Sequence, residues 1–245
     1  MSLLASQTLL VTGAYGGIGA ACALKLAKLG AQLIISDIRE PKATFEAMTP
    51  HPKGHLSVVA DVSDVASVAA LFERIDCNAP MLNGLVHCAG VIHEKPLLET
   101  GIEEFDRVIN INLRGSFLVG QEAIRRLDGR EGSILLTSSD LGVSGRETFS
   151  PYVASKHGVM GLMRSWAKEF GPRIKVNALC PGPIDTDMLG AAQMSPEWRA
   201  RELAIPAERF GKPEEVAAMA AFLMGPDADF ITGQGIGING GSVML

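Results

Sequence analysis

The stretch "TLLVTGAYGGIGAACALKLAKLG", residues 8–30, changes character halfway along. TLLVTG (8–13) is a short apolar run of the kind that forms a strand buried on both faces. GGIGAACALKLAKLG (16–30) reads as a helix, with Gly30 as its C-terminal stop. Between the two lie glycines at 13, 17 and 19. Glycine lets a backbone turn tightly and come close to a pyrophosphate, and the helix that follows aims its free N–H groups and positive dipole end at that phosphate. A glycine cluster alone is weak evidence. This one follows a strand and opens a helix, which is the context the motif requires.

Working outward, a second strand, AQLIISD (31–37), ends at Asp37, 18 residues after Gly19. That is close to the spacing at which a carboxylate accepts hydrogen bonds from an adenosine ribose. Further apolar runs occupy 56–61, 82–90, 133–139, 174–180 and 235–239. Helical patterns lie near 64–75, 101–127, 151–170 and 213–224. Strand-helix alternation implies right-handed crossovers and a parallel sheet. The expected fold is α/β: one Rossmann-type doubly wound domain over 1–245, about seven parallel strands with helices on both faces. Ligands in such a sheet bind beyond the carboxyl ends of the strands. EAMTPHPKGH (46–55), with two prolines and a glycine, reads as a surface loop.

Composition narrows the function classes. The net charge is −5 and no long basic run occurs, so neither nucleic acid nor an anionic membrane is an expected partner. No apolar run approaches the ~18 residues of a membrane span. The N-terminal MSLLASQTLLVTG has no basic leader and reads as the first strand, not a signal peptide. Cys22, Cys77, Cys88 and Cys180 form no CxxC, which suggests neither a zinc site nor a disulfide framework. A reducing, cytoplasmic setting is the simpler reading. His87 and His93 lack companion ligands at metal-binding spacing, so no metal is expected.

SPYVASKHG (150–158) holds one of only two tyrosines in the chain, a helical turn ahead of Lys156. Ser150 suits an N-cap and Pro151 the first helical position, which puts Tyr152 and Lys156 on one face. Most such pairs only pack and solvate, so the surrounding motifs have to decide.

Taken in order, those motifs resemble the short-chain dehydrogenase/reductase family over nearly the whole chain. TGAYGGIG (12–19) matches its glycine loop, and Asp61–Val62 its adenine contact. CAG (88–90) matches its N-A-G, with Cys88 in place of Asn. That departure is expected to weaken a sheet-stabilising hydrogen bond while removing no catalytic group. Asn112, Ser139, Tyr152 and Lys156 match the catalytic four, PGPIDT (181–186) the nicotinamide segment and ITGQGIGINGG (231–241) the closing strand. Of the adjacent serines, Ser139 has the family's spacing, 13 residues before Tyr152, and Ser138 is expected to bond locally.

The resemblance implies an NAD-dependent oxidoreductase acting on a secondary alcohol or ketone. Its candidate cofactor-binding residues are Gly13, Tyr15, Gly17, Ile18, Gly19, Asp37, Ile38, Asp61, Val62, Cys88, Ala89, Gly90, Tyr152, Lys156, Pro181, Gly182, Ile184 and Thr186. A nearby ammonium and the positive nicotinamide both favour phenolate, so Lys156 with the bound cofactor is expected to lower the pKa of Tyr152. Ser139 is expected to bond the reacting oxygen, and Asn112 to position a water linking Lys156 to solvent. Asp37 argues against the first rival, an NADPH-dependent ketone reductase of the 3-oxoacyl-carrier-protein type. The second rival is a nucleotide-binding regulatory protein without catalysis. A lid at 187–211, carrying Arg199 and Arg201, is expected to enclose the substrate, the arginines being solvated charges or a grip on a polar handle. Cyclic alcohols, vicinal diols, polyols and hydroxy acids all suit it. The resemblance also implies a homotetramer, paired through helices near 101–127 and 151–170, with the C-terminal GSVML covered by a neighbour.

Overall fold

The computed structural model describes residues 3–79, 81–127 and 129–244; the ends of the predicted N-terminal and C-terminal segments, Met1, Ser2 and Leu245, lie outside the described residues. In chain order the elements are β1 (Thr8–Thr12), α1 (Gly17–Lys28), β2 (Gln32–Asp37), α2 (Lys42–Ala47), β3 (Leu56–Val59), α3 (Val65–Asn78), β4 (Gly84–His87), α4 (Ile102–Val108), α5 (Gly115–Arg126), β5 (Gly132–Thr137), α6 (Ser150–Phe170), β6 (Ile174–Pro181), α7 (Pro196–Glu202), α8 (Pro213–Leu223) and β7 (Gly235–Ile238). The seven strands form one parallel sheet in the order β3-β2-β1-β4-β5-β6-β7. The order reverses between β1 and β4, and ligands of such sheets bind at that point, beyond the strand ends.

Alternation along each strand builds two cores. Leu10, Ile34, Leu85 and Ile134 pack with α3, α5 and α6 on one face. Leu9, Val11, Leu33, Val86 and Leu135 pack with α1 and α8 on the other. Successive side chains point to opposite faces, so a strand covered on both sides is apolar throughout, as these were read to be.

Several strands stop short of their apolar runs. β3 ends at Val59 and β4 at His87, because Asp61–Val62 and Cys88–Gly90 have turned from the sheet into the cleft at its carboxyl edge. The β1–β4 seam keeps a side-chain link despite Cys88: Thr12 Oγ1 and His87 Nδ1 lie 2.8 Å apart, both buried. The amide of Ala89 donates to the same Thr12 hydroxyl at 3.4 Å.

The helix expected at 101–127 runs from Ile102 to Arg126, with a change of pitch inside it. A π-helical turn over 109–114 separates α4 from α5 and places Asn112 inside it. The cap expected at Ser150 is also corrected. α6 already includes Ser150, and Phe149 precedes it without any side-chain cap. Packing sets this start: Thr148 takes a left-handed φ of 68°, and Phe149 is turned inward, edge-on to Tyr152 with ring centroids 6.4 Å apart. The loop read at 46–55 gives its first two residues to α2, which the sequence reading did not foresee.

Candidate active site

A cleft of roughly 640 Å³ opens at the β1/β4 crevice, and every residue read as cofactor-binding lines it. The glycine loop forms one wall. Gly13 has φ +70°, and a Cβ there would meet the amide of Ala89 at 2.6 Å. At Gly19 a Cβ would sit 2.0 Å from the Gly13 carbonyl oxygen. The loop therefore closes backbone to backbone, which only glycine permits. Around Gly16 there is open space, and no side chain caps α1. The N-terminus of α1 thus opens on a space that no described residue fills beside Gly16, a cradle fitting a pyrophosphate.

Asp37 stands beside this loop at the end of β2. One carboxylate oxygen accepts from the amide of Tyr15 and the other from that of Arg39, both at 3.1 Å. The Arg39 guanidinium lies 3.6 Å from the centroid of the half-exposed Tyr15 ring. Asp61 accepts from the amide and hydroxyl of Ser63 at 2.9 and 2.7 Å, which fixes the turn after β3.

At the far end of the cleft, Ser139, Tyr152 and Lys156 come together, all buried. The Ser139 hydroxyl lies beside the Tyr152 phenol, close enough to favour its charged form. The Lys156 ammonium donates to the Thr137 carbonyl at 2.8 Å and lies 5.6 Å from the Tyr152 ring centroid. Ser138 points away and donates to the Lys156 carbonyl at 2.9 Å, as the alternation of strand side chains required. Asn112 stands behind the cleft wall. Its amide donates to the Val91 carbonyl at 2.9 Å and to Ser155 Oγ at 3.0 Å, and its oxygen accepts from the Val91 amide at 2.8 Å. A Cβ on Gly90 would lie 3.2 Å from that oxygen and 3.5 Å from the ammonium, so Asn112 and Lys156 flank the same glycine.

One part of the electrostatic expectation is corrected. Burial dominates at Tyr152 and pushes its pKa up to about 12, helped by the charge of Asp140; the Ser139 hydroxyl opposes this. Burial likewise brings Lys156 down to about 8. Desolvation penalises the charged form of each group. The lysine therefore does not make the tyrosine acidic in the protein alone.

The lid segment begins at the cleft, where Asp187, Met188 and Leu189 line it. Arg199 donates to the Ala191 carbonyl at 3.3 Å and lies over Phe210, and Arg201 pairs with Glu147. Neither lines the cleft. Arg146 also ties the lid down: it pairs with buried Glu202 of α7 and lies over the rings of Phe149 and Trp198. The sequence reading missed Arg146, along with Thr137 and Arg107, which also line or support the site. Their common signal was only proximity in sequence to residues already chosen. Among the described residues, no group of three His, Cys, Asp or Glu is placed to hold a metal ion, and no helix is long and apolar enough to cross a membrane.

The geometry agrees with known proteins. The family model described as enoyl-(acyl carrier protein) reductase matches residues 13–242. A 3-oxoacyl-(acyl-carrier-protein) reductase of Thermotoga maritima is 38% identical, over 98% of this chain and 99% of its own. A cis-4-hydroxycyclohexanecarboxylate dehydrogenase of Sinomonas cyclohexanicum is 39% identical, over 97% and 96%. The crystal structure of a short-chain type dehydrogenase/reductase from Mycobacterium marinum superposes with a TM-score of 0.91 at 29% identity, covering 99% of this chain and 97% of that one. With a seven-stranded sheet of this order, a glycine-loop cleft and full-length relatives of one kind, the chain belongs to the short-chain dehydrogenase/reductase family, whose members are oxidoreductases using a nicotinamide cofactor.

Proposed function

We propose that the chain interconverts a secondary alcohol and its ketone with NAD, using Tyr152 as general acid and base. The carrying observation is the buried Ser139–Tyr152–Lys156 cluster at one end of a cleft whose other end holds Asp37. The bound nicotinamide supplies the hydride acceptor for oxidation and the hydride donor for reduction. Tyr152 takes the alcohol proton or returns it to the ketone. Ser139 holds the reacting oxygen. Lys156, anchored on the Thr137 carbonyl, holds its ammonium near the phenol and toward the nicotinamide ribose, at the opposite end from the adenosine ribose that Asp37 would meet. Asn112, locked to the Val91 backbone, fixes the loop after β4 against that lysine. Asp37 accepts from ribose hydroxyls and repels a 2′-phosphate. The substrate end is apolar, walled by Val91, Ile92, Met188 and Leu189, which suits a ring or short chain.

A second reading, an NADPH-dependent ketone reductase, has its own support. A phenol pushed up to about 12 stays protonated at neutral pH and is ready to donate to a carbonyl. Arg39 lies beside the ribose position, and the Thermotoga relative bears a reductase name.

Tyr152→Phe tests both. It removes the hydroxyl and keeps the ring. Steady-state turnover, in a screen of cyclic alcohols, diols, polyols and hydroxy acids, should fall by the ~10²–10⁴-fold of general acid–base catalysis. Cofactor binding, read by calorimetry, should persist. Near-normal turnover in the variant would sink the assignment. A wild-type protein that binds nucleotide but turns over no alcohol or ketone would favour a purely regulatory protein.

A further inference from the structure

Asp140 is a buried carboxylate with no cation paired to it among the described residues. It follows Ser139 and does not line the cleft. Three donors converge on it. Ser139 Oγ donates to Oδ1 at 2.9 Å, the Leu141 amide to Oδ1 at 2.8 Å, and Ser242 Oγ to Oδ2 at 2.6 Å. Ser242 comes from the C-terminal segment after β7, 102 residues away.

A serine hydroxyl has one proton. In Ser139 it is directed at Asp140 at 2.9 Å in preference to the Pro181 carbonyl at 3.5 Å. The Ser139 oxygen accepts from the Leu141 amide at 3.1 Å, which leaves it one further acceptor site. Ser139 is thus presented to the reacting oxygen as a hydrogen-bond acceptor, the arrangement that suits an alcohol O–H.

We propose that Asp140, held by Ser242, is a positioning residue that orients Ser139, so that the C-terminal segment is part of the catalytic apparatus. The proposal rests on the reading of Tyr152 and Ser139 given above. It adds a chain, Ser242 to Asp140 to Ser139, that couples the end of the polypeptide to the residue beside the site of proton transfer. Asp140 also sets the charge around the phenol. The other charged and titratable groups there are Lys156 on α6, Cys180 on β6, Arg107 at the end of α4, and Arg146, which lies across Phe149 and is paired with Glu202 of α7.

Asp140→Asn keeps the shape and removes the charge. Tyr15→Phe as a background leaves Tyr152 the only tyrosine in the chain, so phenolate absorbance reports it alone. With folding followed by circular dichroism, the phenolate signal in Asp140→Asn should begin about one pH unit lower than in the background, the order expected when a nearby like charge is removed. The kcat for alcohol oxidation should fall about tenfold or more, as for other misplaced groups at a reacting centre. Nucleotide affinity should stay within about twofold, well under the ~1.4 kcal/mol that a tenfold change represents. Ser242→Ala, which disturbs only the far end, should lower kcat severalfold without an earlier phenolate onset, and Ser242→Thr should restore it. Unchanged phenolate onset in Asp140→Asn overturns the proposal. So does a kcat unchanged in Ser242→Ala, which decides the matter alone if Asp140→Asn does not fold. If Tyr152→Phe keeps its turnover, the underlying reading fails instead, whatever Asp140 does.

Discussion

Asp37 and Arg39 put opposite charges two residues apart at the ribose end of the cleft. The carboxylate is fixed by two backbone amides, so it keeps its place whichever nucleotide arrives. The guanidinium is stacked on Tyr15 and must leave that ring to reach a 2′-phosphate. A fixed charge outweighs one that must first give up a contact, and NAD should be preferred. The check is kcat/KM with NAD and NADP, and equal values or an NADP preference would reject the assignment. Asp37→Ala should narrow the gap from both sides, weakening NAD and relieving the repulsion of NADP. The placement of such residues was legible in the sequence because it follows from the carboxyl end of a strand: Asp37 closes β2, and Cys88–Gly90 and Ser139 follow β4 and β5. Asp140 and Ser242 were not legible. Their link spans 102 residues, and nothing local in SSDLG or GGSVML announces it.

The central strand pair carries a pH dependence of its own. His87 of β4 is fully buried against β1, with Nδ1 on the Thr12 hydroxyl and no hydrogen-bond partner at Nε2 among the described residues. Burial, with the charge of Lys156 adding, lowers its pKa to about 3. Between pH 6.5 and 3 the unfolded chain holds a proton on this imidazole and the folded chain does not. Stability is therefore full above about 6.5 and lost progressively as pH falls toward 3, by about 1.4 kcal/mol per unit from this group. Lys156 leaves this window untouched, since both states keep its proton well below about 8. His87→Asn retains an acceptor for Thr12 and removes the titration. Urea unfolding at pH 7 and pH 5 should show a stability difference smaller by about 2 kcal/mol in the variant, and an equal difference would mean His87 does not set the acid limb. At this scale the order and type of strands followed from apolar runs, but two helical features did not. The π turn around Asn112 is held by a side-chain bond to the loop after β4, and the start of α6 by the packing of Phe149 on Tyr152. Both are tertiary contacts, invisible to local periodicity.

Assembly belongs to the whole molecule, and the exposed surface separates two explanations for the small residues that suggested it. Gly120 on α5 is used inside the chain: a Cβ there would lie 2.4 Å from the Trp166 ring of α6. Gly161 on α6 is not, since nothing lies within 4 Å of its missing side chain. The outward faces of α4 and α5 carry Ile102, Phe105 and Phe117, each more than a third exposed. A second apolar group, Phe222, Phe230 and Met244, lies on α8 and toward the C-terminus, with Phe230 wholly exposed. Two sets of exposed apolar side chains on different elements suit two different two-fold contacts, and two such contacts close into a tetramer. Members of this family commonly form oligomers, and light scattering at micromolar concentration should give a species near four times the chain mass of 25.9 kDa. Phe117→Glu and Phe230→Glu, each placing a charge in one patch, should each stop assembly at a dimer, and the double variant should be monomeric. Because Ser242 lies in the same C-terminal segment as Met244, the Phe230 variant should also lose activity if burial of that segment in the assembly steadies the contact with Asp140. A wild-type monomer, or a Phe230→Glu tetramer, would show that the apolar end of the chain is simply exposed.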